Sequence, residues 1–131
     1  MNTVSFLLLR LAIGASFFGH GLVRLPKLAA FSGWMTGTFK KSMLPEMLVI
    51  PFSYALPVAE FIIGLLLLSG LFTKAAAVAG SIVMLILIFG TCMIENWEAL
   101  PSQFIHIAFL AALLQFIQHN SWALDEMMRG K

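Results

Sequence analysis

Charge is scarce in this sequence. Only 11% of its 131 residues are Asp, Glu, Lys or Arg, where a soluble domain carries about a quarter. So few ionic groups cannot cover a water-facing surface, which excludes a soluble globular domain as the main architecture. Cysteine is nearly missing as well. The single Cys92 excludes an internal disulfide, a CxxC redox pair and a Cys-built zinc site, and reads as a small apolar filler in a helix. Basic clusters are absent. Eight Lys and Arg stand against six Asp and Glu, too scattered to leave an electrostatic footprint for nucleic acid. The chain has no Gly-rich phosphate loop and no motif pairing a serine or cysteine nucleophile with a base. His106 and His119 fall about 140° out of phase on a helix, so they do not share one haem. His20 with His106 is the axial pair that remains, a remote one, and the eight methionines are scattered as packing residues. No metal site is expected.

What the sequence does have is oil. Sixty per cent of its residues are hydrophobic, mean hydropathy is +0.96, and the apolar residues sit in long unbroken blocks. Crossing about 30 Å of hydrocarbon takes roughly 20 apolar residues in a helix. Four stretches qualify: about 4–23, 47–72, 75–94 and 102–118. Helix is enforced because backbone polar groups find no water in the membrane core. The reading is an all-α membrane protein, a four-transmembrane-helix antiparallel bundle forming a single membrane domain over residues 1–131, with the lipid bilayer as its solvent. Arg10 interrupts the first apolar run and no basic stretch precedes it, so that run is expected to stay as a spanning helix rather than be cleaved as a signal peptide.

The connections differ. A tight turn around Gly70, Thr73 and Lys74 makes the second and third spans an antiparallel hairpin. A short polar break holding Trp97 and Pro101 joins the third and fourth. The first connection, Arg24 to Glu46, is longer and not simply polar. Leu25, Leu28, Phe31, Trp34, Met35 and Phe39 recur there at helical spacing, with Lys27, Lys40 and Lys41 beside them. This predicts an interfacial segment, a helix lying in the headgroup plane with its apolar side down. A re-entrant lid over the bundle fits the same pattern. An even number of spans puts both termini on one side. Lys74, Arg129 and Lys131 then oppose Arg24, Lys27, Lys40 and Lys41, so the positive charges set no orientation.

The informative residues are the ionisable ones inside the spans: Arg10, His20, Glu60 and His106. A charge at the bilayer centre costs about 2.5–3.5 kcal/mol on insertion scales, so such groups face the interior and find partners. Counting depth at about 1.5 Å per residue from the helix ends brings Arg10 within reach of Glu60 and predicts an ion pair between them. His20 and His106 fall at matching depths on the other side, facing each other across a pocket mouth or meeting water and headgroups. At about 100° per residue, Arg10, Gly14, Phe17, Gly21 and Arg24 share one stripe, and Pro57, Glu60 and Gly64 another. Gly80, Met84, Leu87 and Thr91 share a third; Gln103, His106, Leu110 and Leu113 a fourth. Small residues on the charged stripes let helices approach closely. The polar atoms are expected to converge on one seam, serving either as a ligand pocket or as packing glue. Pro57 should free the carbonyl of Ser53 one turn or so from Glu60, and Pro51 should mark the helix entrance.

The run Arg10-Leu-Ala-Ile-Gly14 through Gly19-His20-Gly21-Leu-Val-Arg24-Leu25 resembles the first helix of the DoxX family. Ala59-Glu60-Phe-Ile-Ile-Gly64, followed by Ser69-Gly70-Leu71-Phe72-Thr73-Lys74-Ala75-Ala76, resembles its helical hairpin. Arg24 stands where that family usually has lysine, and Lys74 where it often has arginine; both keep the charge. Length, layout and the long first loop agree along essentially the whole chain. The resemblance implies a DoxX-like four-helix bundle in a bacterial inner (cytoplasmic) membrane. It also implies a small subunit linked to quinone-dependent oxidoreduction, working with a membrane or soluble redox partner as an accessory rather than a self-contained enzyme.

The expected function is therefore a membrane subunit holding a quinone or lipid-like molecule, with Arg10 and Glu60 as anchor and His20 with His106 donating protons at the mouth. A non-enzymatic assembly factor, chaperone or scaffold is the alternative, in which the seam only fixes packing. A small transporter is the third reading; it requires an oligomer, because four short helices enclose little lumen.

Overall fold

In the computed structural model, which describes residues 1–129, six α-helices follow one another and no strand occurs among the described residues. They are α1 (Thr3–Arg24), α2 (Leu28–Phe39), α3 (Glu46–Ser69), α4 (Thr73–Met93), α5 (Leu100–Gln115) and α6 (Leu124–Arg129), with short 3₁₀ turns at Leu25–Lys27, Trp97–Ala99 and Ile117–His119. Four helical segments are long and apolar enough to cross a membrane: Thr3–Phe39, Glu46–Ser69, Thr73–Met93 and Trp97–Gln115. The protein is an all-helical four-helix membrane bundle. Its outward-facing residues include Leu8, Ile62, Ile82, Leu85 and Ile105, as lipid contact requires.

Local chemistry sets the ends. Asn2 accepts from the Ser5 N–H at 2.8 Å and caps α1. Pro45 stands at the N-cap of α3, so Pro45 and not Pro51 marks the entrance; its carbonyl accepts from the N–H groups of Leu48 and Val49. Pro51 and Pro57 both lie inside α3. At its other end Gly70 takes the left-handed conformation (φ 74°) and donates to the Leu66 carbonyl, a cap that reverses the chain into α4. A side chain at Gly70 would also strike Ala123 and the Arg10 guanidinium.

The closest helix pair is α1 against α3, and glycines set its register. A Cβ on Gly64 would lie 2.2 Å from the Phe18 backbone nitrogen, and one on Gly21 would lie 2.5 Å from that of Phe61. At Gly14 the nearest atom is the Leu68 nitrogen at 3.0 Å. Backbone thus meets backbone along the seam, the small-residue packing that membrane helices use in place of a hydrophobic driving force. The main core, around Phe6, Phe17, Leu67, Leu110 and Leu113, fills the half of the bundle nearer the termini.

The other half is built differently. Because Gly21 meets Phe61, the 24-residue α3 extends several turns beyond the end of α1. The extension is covered by α2, which buries Phe31, Ser32 and Met35. The buried Ser53 and Ser32 hydroxyls are hydrogen-bonded at 2.6 Å, and the Phe39 ring reaches Gly90 on α4. The segment after α1 is helical, as its spacing predicts, and it turns its buried face onto α3 and α4 in the manner of a lid. The three lysines remain on its outside, and Trp34, stacked on Phe31, stands largely exposed at its edge.

Candidate functional site

Beneath α2 lies a cavity of about 580 Å³, well within the size range of small-molecule sites. Its roof is Phe31, Trp34, Met35 and Phe39 of α2. Leu48, Val49, Phe52 and Leu56 of α3, with Met84 and Leu87 of α4, form apolar walls. One wall is polar: Ser16, His20 and Arg24 from α1, Glu60 from α3, Thr91 from α4, and Ser102, Gln103 and His106 from α5.

Glu60 is 4% exposed. Its Oε1 accepts from Arg24 Nη1 at 3.2 Å, while Oε2 has no partner among the described residues. The Arg24 guanidinium lies over the Phe31 ring, 4.4 Å from its centroid, a cation–π contact that ties the buried pair to the lid. Gln103 donates from Nε2 to Thr91 Oγ1 at 2.8 Å, and its Oε1 is buried without a partner.

The histidines have fixed roles. His20 Nδ1 lies 2.7 Å from the Ser16 carbonyl, and His106 Nδ1 lies 2.7 Å from the Ser102 carbonyl. A carbonyl only accepts, so Nδ1–H donates in both rings. In the neutral rings Nε2 is then an acceptor. That of His106 takes the Ser16 hydroxyl at 2.7 Å; that of His20 has no partner among the described residues. The two rings meet edge to face with centroids 6.4 Å apart.

Arg10 is elsewhere. It is 3% exposed, and its Nη1 donates to Asn120 Oδ1 at 2.8 Å. Asn120 Nδ2 donates in turn to Thr73 Oγ1, and Asp125 accepts from the N–H groups of Phe72 and Thr73 at 2.6 and 2.8 Å. The Asp125 N–H donates to the Gly70 carbonyl. The chain after α5 therefore straps back over the α3–α4 turn and closes on Arg10. Burial works against the Asp125 carboxylate. The bonds from Thr73 and Phe72 and the charge of Arg10 outweigh it and hold this carboxyl below its usual range.

The expected Arg10–Glu60 ion pair is not formed. Depth was counted from helix ends as if α1 and α3 shared a boundary, but the glycine register slides α3 past α1 and puts Glu60 at the level of His20 and Arg24. The inward stripes therefore supply two polar clusters at opposite ends of the bundle. His20, Arg24, Glu60, Gln103 and His106 come together; Arg10 does not join them. Gly14, Gly21 and Gly64 shape the α1–α3 contact instead of lining the cavity, and the buried Pro57 lies one turn before Glu60.

Thr91 lies on an inward stripe as its spacing predicts, whereas Ser16, Asn120 and Asp125 are participants that sequence reasoning missed. A signal did exist for the last two. Asn120 and Asp125 are the polar side chains that follow the fourth span on the same side as Arg10, and a buried guanidinium needs acceptors.

With this geometry in view, comparison with known proteins decides the family. The DoxX family model matches residues 5–92. The chain belongs to the DoxX family. The matched region runs from α1 into the last turn of α4, so it holds Arg10, His20, Arg24 and Glu60, while Gln103, His106, Asn120 and Asp125 lie beyond it. No match was found among curated proteins or among solved structures. Membership in the DoxX family accords with a small integral membrane protein, and the cavity must speak for itself.

Proposed function

We propose that this DoxX protein is an accessory membrane subunit that holds a quinone or similar lipid-like molecule beneath α2 and presents it to a redox partner. The supporting observation is the pairing of a largely apolar cavity of about 580 Å³ with a convergent wall of Glu60, Arg24, His20 and His106. An apolar body with a small polar head satisfies both surfaces, which is the general design of small-molecule sites. A water-filled cavity would leave the aromatic roof exposed to solvent, at a cost of about 25 cal/mol per Å² of apolar surface.

The test is direct. Purified protein in lipid nanodiscs is titrated with a short-tailed benzoquinone while tryptophan emission is followed, since Trp34 lines the cavity. Saturable quenching is expected for the wild type, with affinity falling at least tenfold in Glu60→Gln and His20→Ala. Absence of saturable binding in the wild type, in either redox state of the head, retires the proposal.

A further inference from the structure

We propose that the cavity opens sideways into the bilayer between α3 and α4, and that the hydrocarbon tail of its ligand lies in this opening. This rests on the ligand-binding reading above and adds a tail subsite and a route of entry to it.

Some residues belong to two surfaces at once. Ile86 and Phe89 of α4 are 48% and 58% exposed, facing out of the bundle, and both also line the cavity. Three positions apart, they share one side of the helix. A side chain stands on the outer surface and on the cavity wall together only where that wall ends, so the cavity reaches the outside of the bundle along α4. Ile86 lies about 10 Å along this spanning helix from its Met93 end. At that depth the outside is hydrocarbon, not water. Gly90 shows what bridges the gap. A Cβ there would meet the Phe39 ring at 3.3 and 3.5 Å and, beyond α4 itself, nothing else within 4 Å. Counting outward from the Gly70 turn puts Phe52 of α3 about level with Gly90, yet the neighbour at Gly90 is the ring carried by α2. A ring turning on two side-chain torsions is a movable plug, where a packed helix is not. The other side of the cavity differs in character. His20, Asn96 and Ser102 line it and are exposed, on the polar side that holds the α4–α5 loop. A head placed against Glu60 and Arg24 therefore has a polar mouth on one side and an apolar one on the other. A tail that leaves past Ile86 passes from lipid to walls as apolar as lipid, so it sheds no water and gains little. The opening accordingly sets the route and tolerates any length of chain, because the excess stays in the bilayer.

The experiment varies the tail and keeps the head. Benzoquinones with no tail, one isoprenoid unit or several are titrated into the full-length protein in nanodiscs, with concentrations expressed per lipid. The longest is expected to bind within about threefold of the shortest. A cavity closed to the bilayer would reject the long tail by roughly tenfold or more, as an overpacked core does; that result overturns the opening and leaves the head site standing. Ile86→Trp puts a larger side chain into the opening at a lipid-facing position. It should weaken the long-tailed quinone at least tenfold more than the tailless one, and equal weakening of the two overturns the proposal. Helicity and unfolding temperature establish that the variant is folded. A photoreactive diazirine in the tail reads its location. Labelling of Phe39, Ile86 or Phe89 that excess tailless quinone displaces is expected, whereas displaceable labelling confined to Asn96 and Ser102 overturns the route. If no member of the series binds, the site and its opening fall together.

Discussion

Gly64→Ala is the sharpest test of the architecture, because its effect can be worked from distances. The added Cβ would sit 2.2 Å from the Phe18 nitrogen and 2.5 Å from its Cα. Both are backbone atoms of α1, so no side chain can swing aside. Restoring an ordinary contact of about 3.5 Å asks α1 and α3 to part by roughly 1.3 Å. A gap of that size forfeits about half or more of the dispersion energy of the atoms lining it. Overpacking of this kind typically costs 1–3 kcal/mol, and the backbone origin of the clash places Gly64→Ala at about 3 kcal/mol. The order of loss should follow the distances. Gly21→Ala comes next, then Gly14→Ala at 3.0 Å, and last Gly19→Ala and Gly33→Ala, whose new methyl groups meet nothing within 4 Å. The last two should be neutral or stabilised by up to about 1 kcal/mol from helix propensity. Reversible unfolding in mixed micelles, titrated with SDS and followed by circular dichroism, gives the ranking. If Gly64→Ala unfolds at the same SDS fraction as Gly19→Ala, the helices are not in backbone contact and the register derived from it is wrong.

Two further perturbations separate the polar clusters. A double-mutant cycle of Arg24→Leu with Glu60→Leu should give a coupling of about 0.5–3 kcal/mol, whereas Arg10→Leu with Glu60→Leu should be additive within about 0.5 kcal/mol; appreciable coupling in the second cycle would contradict the placement of Arg10 beside Asn120. Asp125, outside the spans, should carry a pH dependence. Its folded-state value lies below the ordinary carboxylate value of about 3.9. Its stabilisation is therefore complete above that value and drains away as pH falls through the lower folded one. The unfolding temperature of the wild type minus that of Asp125→Asn should be positive and flat from pH 7 to about 5 and shrink below about 4. A constant difference down to pH 2.5 would show that Asp125 does not cap α4 as a carboxylate.

Much of the fold was legible because hydropathy and helix length are local properties. The spans read as about 4–23, 47–72, 75–94 and 102–118 are found within the helices Thr3–Arg24, Glu46–Ser69, Thr73–Met93 and Leu100–Gln115, to within a few residues. Angular spacing carried the inward stripes equally well. Phe17, Gly21, Glu60, Gly64, Gly80, Met84, Leu110 and Leu113 are all buried. Axial register was not legible. A stripe records which way a residue faces but not how far one helix has slid along its neighbour. That slide is set by three glycines whose significance depends on which backbone they meet. The strap of Asn120 and Asp125 escaped for a related reason: six residues of short helix carry no hydropathic signal, and their importance comes from a buried arginine more than a hundred positions away.

The separation of the clusters bears on where chemistry can occur. At the terminal end, Arg10 is locked by Asn120, and the carboxylate of Asp125 is spent on the α4 backbone. Arg10 Nε lacks a partner, yet neither the main cavity nor the shallow groove beside Phe72 is lined by Arg10. Its Nη1 holds the strap through Asn120. At the other end Glu60 is as buried as Arg10, and one of its oxygens is left open to a cavity that also meets His20 and His106. A bundle selected for stability alone gains nothing from vacant acceptors in an aromatic cavity, since filling that space with apolar side chains is often neutral or stabilising. The unpartnered Glu60 oxygen belongs to a residue that lines the cavity, whereas Arg10, with its unpartnered Nε, lines neither pocket, and this asymmetry is the argument for seeking a ligand at the lid end.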